Sequence, residues 1–172
     1  MTNTDWSNDQ SSRKRALPVV AIANPYVNLQ LRIPDHEWEA VRRFTTTFRP
    51  EDGTTVDIDR SPFDRFVDLW WGALCLGVRE GRQSMPPKWH DFVTGVVLNQ
   101  DPWRIRHLEL IAIAENGSGV LEEPGKVIEI ANRYAATGMA MLIDTMTGQT
   151  EPIWALTSFL RSLVEETLQG TG

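Results

Sequence analysis

Apolar and polar residues alternate strictly at residues 28–33, NLQLRI. The two sides of this pattern carry, respectively, Leu29, Leu31 and Ile33 and Asn28, Gln30 and Arg32. A period of two is typical of a half-buried β-strand, because successive side chains of a strand point to opposite faces. The pattern therefore predicts an N-terminal strand that ends at Pro34, where the chain lacks a backbone N–H.

Beyond Pro34 the apolar residues recur every three or four positions, which is typical of amphipathic helices. About six helical segments are predicted: one that begins at Asp35 and ends before Pro50, and others at residues 63–78, 88–99, 101–117, 126–148 and 151–168. We therefore expect a mainly α fold, with a single helical domain over residues 17–169 and one N-terminal strand. The pattern leaves open whether this strand belongs to a small two- or three-stranded element. Residues 1–16 show neither period and are expected to form a disordered leader.

The helix predicted at residues 63–78 is apolar on nearly all its faces. Such a helix belongs in the middle of a core or in a subunit interface. It contains the neighbours Trp70 and Trp71, which diverge by about 100° around the helix axis and therefore cannot both face one core stripe. Two interpretations stay open: the helix is sandwiched inside its own domain, or these tryptophans contribute to a partner interface. A homodimer is one form that such an interface could take.

The 172 residues carry a net charge of −6 that is unevenly distributed. Residues 1–33 contain four Lys or Arg against two Asp, which gives +2, whereas residues 111–172 contain three against eight acidic residues, which gives −5. This asymmetry argues against DNA binding over the whole surface. It allows nucleic acid to contact the basic N-terminal part, or a basic partner protein to contact the acidic last third.

Cysteine content and hydropathy limit the compartment. Cys75 is the only cysteine, so no intramolecular disulfide can form, and it lies in an apolar run where core packing is expected. The longest uncharged apolar runs are far too short to cross a bilayer. We therefore expect a cytoplasmic protein that does not associate with membranes.

The sequence contains no phosphate loop, no dinucleotide fingerprint, no nucleophile elbow and no metalloenzyme histidine pair. We therefore expect no catalytic residue, no bound metal and no cofactor. A less favoured alternative is a metal-dependent nuclease, because four carboxylates near the apolar helix could bind a divalent cation if they converged. These carboxylates are Asp57, Asp59, Asp64 and Asp68.

The predicted strand suggests another class of function, DNA recognition. Arg side chains read guanine, and Asn or Gln side chains read adenine, in the major groove. The candidate base-reading residues are Asn28, Gln30 and Arg32, and the candidate phosphate contacts are Arg13, Lys14 and Arg15. The segment RIPDHEW, residues 32–38, resembles the start of the ribbon-helix-helix DNA binders. That resemblance implies strands paired between two subunits, in a transcriptional regulator or an antitoxin-like protein. The alternative is that the polar residues lie on the solvated face of an edge strand.

Two helical segments, FVDLWWGALCLGVREGRQ and VIEIANRYAATGMAMLID, carry small residues at regular spacing. The residues concerned are Ala73, Gly77, Gly81 and Arg82 in the first, and Tyr134, Ala135 and Gly138 in the second. With the Arg32-Ile33-Pro34 step, they resemble small accessory proteins of Dnd-type DNA phosphorothioation and restriction loci. The resemblance implies a non-enzymatic subunit of a prokaryotic DNA-modification or phage-defence system that works with larger protein subunits. This is the first hypothesis for function.

Overall fold

The computed structural model describes residues 24–46 and 59–170. The strands are β1 (Gln30–Pro34) and β2 (Trp89–Thr94), and the α-helices are α1 (Trp38–Arg43), α2 (Phe66–Glu80), α3 (Pro102–Asn116), α4 (Pro124–Met146) and α5 (Pro152–Gln169). Short 3-10 helices span Asp35–Glu37, Gly95–Gln100 and Ser118–Glu122. The predicted mainly α fold is thus confirmed. The predicted leader with Arg13, Lys14 and Arg15 lies outside the described residues, as does Asp57.

The N-terminal strand pairs with a segment for which the sequence pattern predicted a helix. β1 and β2 form an antiparallel two-stranded sheet in which Leu31 lies opposite Val93 and Ile33 opposite His90. The helix prediction for residues 88–99 is therefore wrong: the segment is β2 followed by a 3-10 helix. Its first half is rich in aromatic and β-branched residues, WHDFVT, which fit a half-buried strand once a partner strand is available.

Helix α4 is the centre of the molecule, with buried residues on most of its faces. Helix α2 crosses it at a close approach that depends on two glycines. A Cβ atom on Gly77 would clash with the carbonyl oxygen of Tyr134, and one on Gly138 would clash with the carbonyl oxygen of Ala73. The small residues that the sequence spaces regularly in these two helices therefore meet at this crossing and let the backbones touch.

The segment before α2 differs from the sequence pattern. The helix begins at Phe66 rather than at Phe63. The Ser61 hydroxyl, expected to cap this helix, instead donates a hydrogen bond to the carbonyl oxygen of Arg43 at 2.9 Å. The Phe63 amide donates to the carbonyl oxygen of Phe44 at 3.2 Å. Residues 61–65 are thus held against the end of α1.

The apolar core joins the inner face of β1 to helices α2, α3 and α4. Its largest buried side chains include Trp70, Tyr26, Leu31, Ile33, Leu74, Leu108, Met139 and Leu142. Helix α5 contributes less: Pro152 and Leu156 are buried, whereas much of its remaining apolar surface is exposed. Within residues 24–46 and 59–170, none of the helices combines the length and the hydropathy needed to span a membrane.

Candidate partner interface

The outer edge of β1 is closed by side chains from two helices. The Arg32 amide donates to Asn132 Oδ1 at 2.9 Å, and Asn132 Nδ2 donates to the carbonyl oxygen of Gln30 at 3.2 Å. The Trp70 indole Nε1 donates to the carbonyl oxygen of Arg32 at 3.2 Å. These three bonds occupy the backbone groups that a further strand would need for pairing. β1 therefore pairs within the chain, and its outer edge is held by α2 and α4.

Of the candidate base-reading residues, Gln30 and Arg32 lie on β1, where they alternate with the buried Leu31 and Ile33. Asn28, predicted to belong to the strand, lies in a turn that precedes it. Asn28 and Arg32 are exposed, and Gln30 is half-buried. Arg32 Nε lies 2.8 Å from the Asp91 carboxylate on β2. A carboxylate at this distance competes with a base edge or a phosphate for the guanidinium, because it already accepts from one of its donors, Nε.

A groove of about 370 Å³ lies between β1, near Gln30 and Arg32, and helix α4. Gln30, Arg32, Trp89 and Arg133 are among its lining residues. Arg133 forms an ion pair with Glu129, one helical turn away. Both arginines among the described lining residues are therefore paired with carboxylates, and these residues form no basic stripe of the kind that follows a nucleic-acid backbone.

The two adjacent tryptophans of α2 have different environments. Trp70 is 0% exposed, because α2 is enclosed between α4 and β1 on that side and the indole N–H bonds to β1. The prediction that Trp70 belongs to a partner interface is therefore wrong. Trp71 points to another side of the helix and is half-buried, so of the two it is the one that can reach a partner.

Trp71 belongs to an aromatic cluster that includes two residues of α3. Its ring centroid lies 5.2 Å from that of Trp103 and 6.1 Å from that of His107, in edge-to-face geometry. Trp103 and His107 also meet edge to face, with centroids 5.4 Å apart. Trp103 is 48% exposed, and His107 is exposed. We call Trp71, Trp103 and His107 the tryptophan cluster.

The buried side chain of Arg104 packs against the inner side of this cluster. Its guanidinium carbon lies 5.4 Å from the ring centroid of Trp71 and 5.2 Å from that of Trp103, which are cation–π distances. The residue is only 6% exposed, and its Nη2 donates to Asp68 Oδ1 at 2.6 Å. The charge of Arg104 is thus neutralised inside the protein, and its guanidinium is held in a fixed position against the two rings.

Asp68 is the centre of an ion-pair network at the start of α2. Arg65 donates to it through two nitrogens, at 2.7 and 2.8 Å, and also reaches Asp101 at 2.9 Å. Burial alone would raise the pKa of Asp68, but the hydrogen bonds from Arg65 and Arg104 outweigh it and hold the pKa below its usual value. The network ties the start of α2 to the start of α3.

This network also bears on the proposed divalent-cation site. In the part of the chain that the structure describes, no group of three or more His, Cys, Asp or Glu side chains is placed to hold a metal ion. Asp68 is directed at two arginines instead of at Asp59 or Asp64. The fourth carboxylate, Asp57, lies outside the described residues.

Cys75, expected to pack in the core, is exposed one helical turn after Trp71. That expectation was wrong because the apolar run around Cys75 covers all sides of α2, including the side that the other described elements leave exposed. Sequence reasoning also did not assign Trp103, Arg104 or His107 to a partner interface. The available signal was Trp103 and His107 four residues apart, on one face of a predicted helix.

No protein-family model, no curated protein and no solved structure matches this chain. The small residues that carry the resemblance to accessory proteins of phosphorothioation loci lie largely at the α2–α4 crossing, where packing requires them. The interpretation of function therefore depends on the surfaces of this molecule.

Proposed function

We propose that this protein is a non-enzymatic interaction subunit that binds a larger protein through the tryptophan cluster. The observation that carries the proposal is the pair of partly exposed rings, Trp71 and Trp103, held over the buried cation of Arg104. Tryptophan and arginine are enriched among the residues that contribute most to binding energy in protein interfaces. Rings held in place before binding also lose little conformational entropy when a partner covers them.

The partner class in this proposal is a larger protein subunit of a prokaryotic DNA-modification or restriction system, located in the cytoplasm. The support for that class is the resemblance of the small-residue helices and of the Arg32-Ile33-Pro34 step. The tryptophan cluster supports protein binding in general and does not depend on this assignment. The two parts of the proposal can therefore be tested separately.

The alternative function, DNA reading by paired strands, receives less support from the geometry. It requires the outer edge of β1 to pair with a second copy, but Asn132 and Trp70 already bond to that edge. It also requires Arg32 to leave Asp91 for a base. The metal-dependent nuclease receives no support from the described carboxylates.

The partner class can be tested by co-expressing the tagged full chain with each larger protein encoded beside its gene and measuring co-purification. We expect one such subunit to be retained by the wild type and by Trp154→Ala, which removes an exposed tryptophan elsewhere. Trp103→Ala should lose it. Failure of every neighbouring product to co-purify with the wild type would overturn the assignment to a DNA-modification system. Equal retention by Trp103→Ala would overturn the tryptophan cluster as the interface.

A further inference from the structure

Helix α5 leaves large apolar side chains uncovered next to the stripe that packs against the core. Trp154, Leu160 and Val164 are 63%, 44% and 58% exposed. Leu160 and Val164 lie one turn apart, so their side chains are neighbours on the same face of the helix. Exposed apolar residues that are contiguous on one helix are typical of a protein–protein contact.

Two opposite charges lie along one side of this face. Arg161 and Glu165 are exposed and lie one turn apart. Neither forms an ion pair within the described residues, whereas the next residue, Glu166, pairs with Arg79 of α2 at 2.9 Å. An arginine that precedes a glutamate by four residues is the less favourable order for a pair inside one helix. Both charges are therefore available to a molecule that covers the face.

We propose that α5 is the contact between two copies of this chain, packed antiparallel about a two-fold axis level with Leu163. Arg161 and Glu165 each lie two residues from position 163. Reversing the helix direction at that position therefore exchanges their positions along the helix axis. Arg161 of each copy then meets Glu165 of the other, while Leu160 and Val164 of both copies form the apolar centre. A two-fold contact needs a self-complementary surface of this kind.

A second copy fits this surface better than an unrelated partner does, because the face carries both charges in the order that an antiparallel copy of itself would match. The apolar centre is small, which places the contact at the low end of protein interfaces, below about 1,200 Å² in total. The dimer is therefore concentration-dependent. This proposal is independent of the tryptophan cluster, which lies on α2 and α3.

The test is sedimentation equilibrium of the full chain with charge reversals. Arg161→Glu puts two like-charged pairs into the contact, and so does Glu165→Arg. Each variant alone should raise the dimer dissociation constant by about tenfold or more. An equimolar mixture of the two variants should dimerise like the wild type, because every contact between unlike variants is again oppositely charged.

Lys126→Glu is the matched control, since it reverses an exposed charge on α4 and should leave the dissociation constant unchanged. Circular dichroism checks that each variant is folded. The proposal is overturned if the wild type is a monomer at its highest soluble concentration. It is also overturned if both reversals leave the dimer intact, or if the mixture dimerises no better than the single variants.

Discussion

The indole Nε1 of Trp70 donates a hydrogen bond to the carbonyl oxygen of Arg32, 3.2 Å away. From sequence, the first of these residues was a candidate for a partner interface and the second for DNA reading. Their hydrogen bond links α2 to β1, so both residues contribute to the packing of the fold. It leaves Trp71, the neighbour of Trp70, as the tryptophan of α2 that faces outward.

Trp70→Phe tests this hydrogen bond, because it keeps an aromatic ring but removes the N–H donor. The carbonyl oxygen of Arg32 then loses its partner in a partly buried position. We expect the free energy of unfolding to fall by about 1–3 kcal/mol, measured by urea denaturation. Trp154→Phe, at an exposed tryptophan, should change it by less than about 0.5 kcal/mol. Equal effects of the two substitutions would show that the hydrogen bond contributes nothing.

Asn132→Leu tests the closure of the β1 edge from the α4 side. It removes both hydrogen bonds to β1 while keeping a side chain of similar size, so we expect a loss of about 1–3 kcal/mol in the free energy of unfolding. Amide hydrogen exchange provides a local measurement. The Arg32 amide, which donates to Asn132, should exchange faster in the variant than in the wild type. Unchanged protection of that amide would contradict the closure.

The glycine crossing predicts a large effect of a single methyl group. Gly77→Ala places a Cβ against the backbone of Tyr134, and relief requires α2 and α4 to move apart. We expect the free energy of unfolding to fall by about 3 kcal/mol or more. Gly125 lies on α4, and a Cβ added there would have no atom within 4 Å. Gly125→Ala should therefore change the free energy of unfolding by about 1 kcal/mol at most. A mild effect at Gly77 would mean that the two helices are not in this contact.

The ion-pair network predicts a specific acid sensitivity. The pKa of Asp68 is lower in the folded protein than its unfolded value near 3.8. Its contribution to stability is therefore present above that value and is lost as the pH falls through the lower, folded pKa. In Asp68→Asn this part of the pH dependence should disappear, so stability should fall less steeply with acid below about pH 4. Identical slopes in the two proteins would exclude Asp68 as the group responsible.

The sequence pattern predicted β1 and most of the helices because each has a clear period and end signals. It failed at β2, because a short apolar run with polar neighbours fits either period until its partner strand is known. For Trp70 and Trp71, the pattern showed that the rings diverge but could not tell which side the core would cover. Arg104 was missed for a related reason: its burial depends on Asp68 and two rings that come together only in the folded chain.

Binding through the tryptophan cluster is tested most directly by the affinity of the co-purified partner subunit for the wild type and for Trp103→Ala, measured by isothermal titration calorimetry. We expect Trp103→Ala to raise Kd by about 30-fold or more, as for a residue central to an interface. Trp154→Ala should leave Kd within about twofold. The opposite pattern, in which Trp103→Ala binds like the wild type and Trp154→Ala binds weakly, would show that the partner does not bind through the tryptophan cluster.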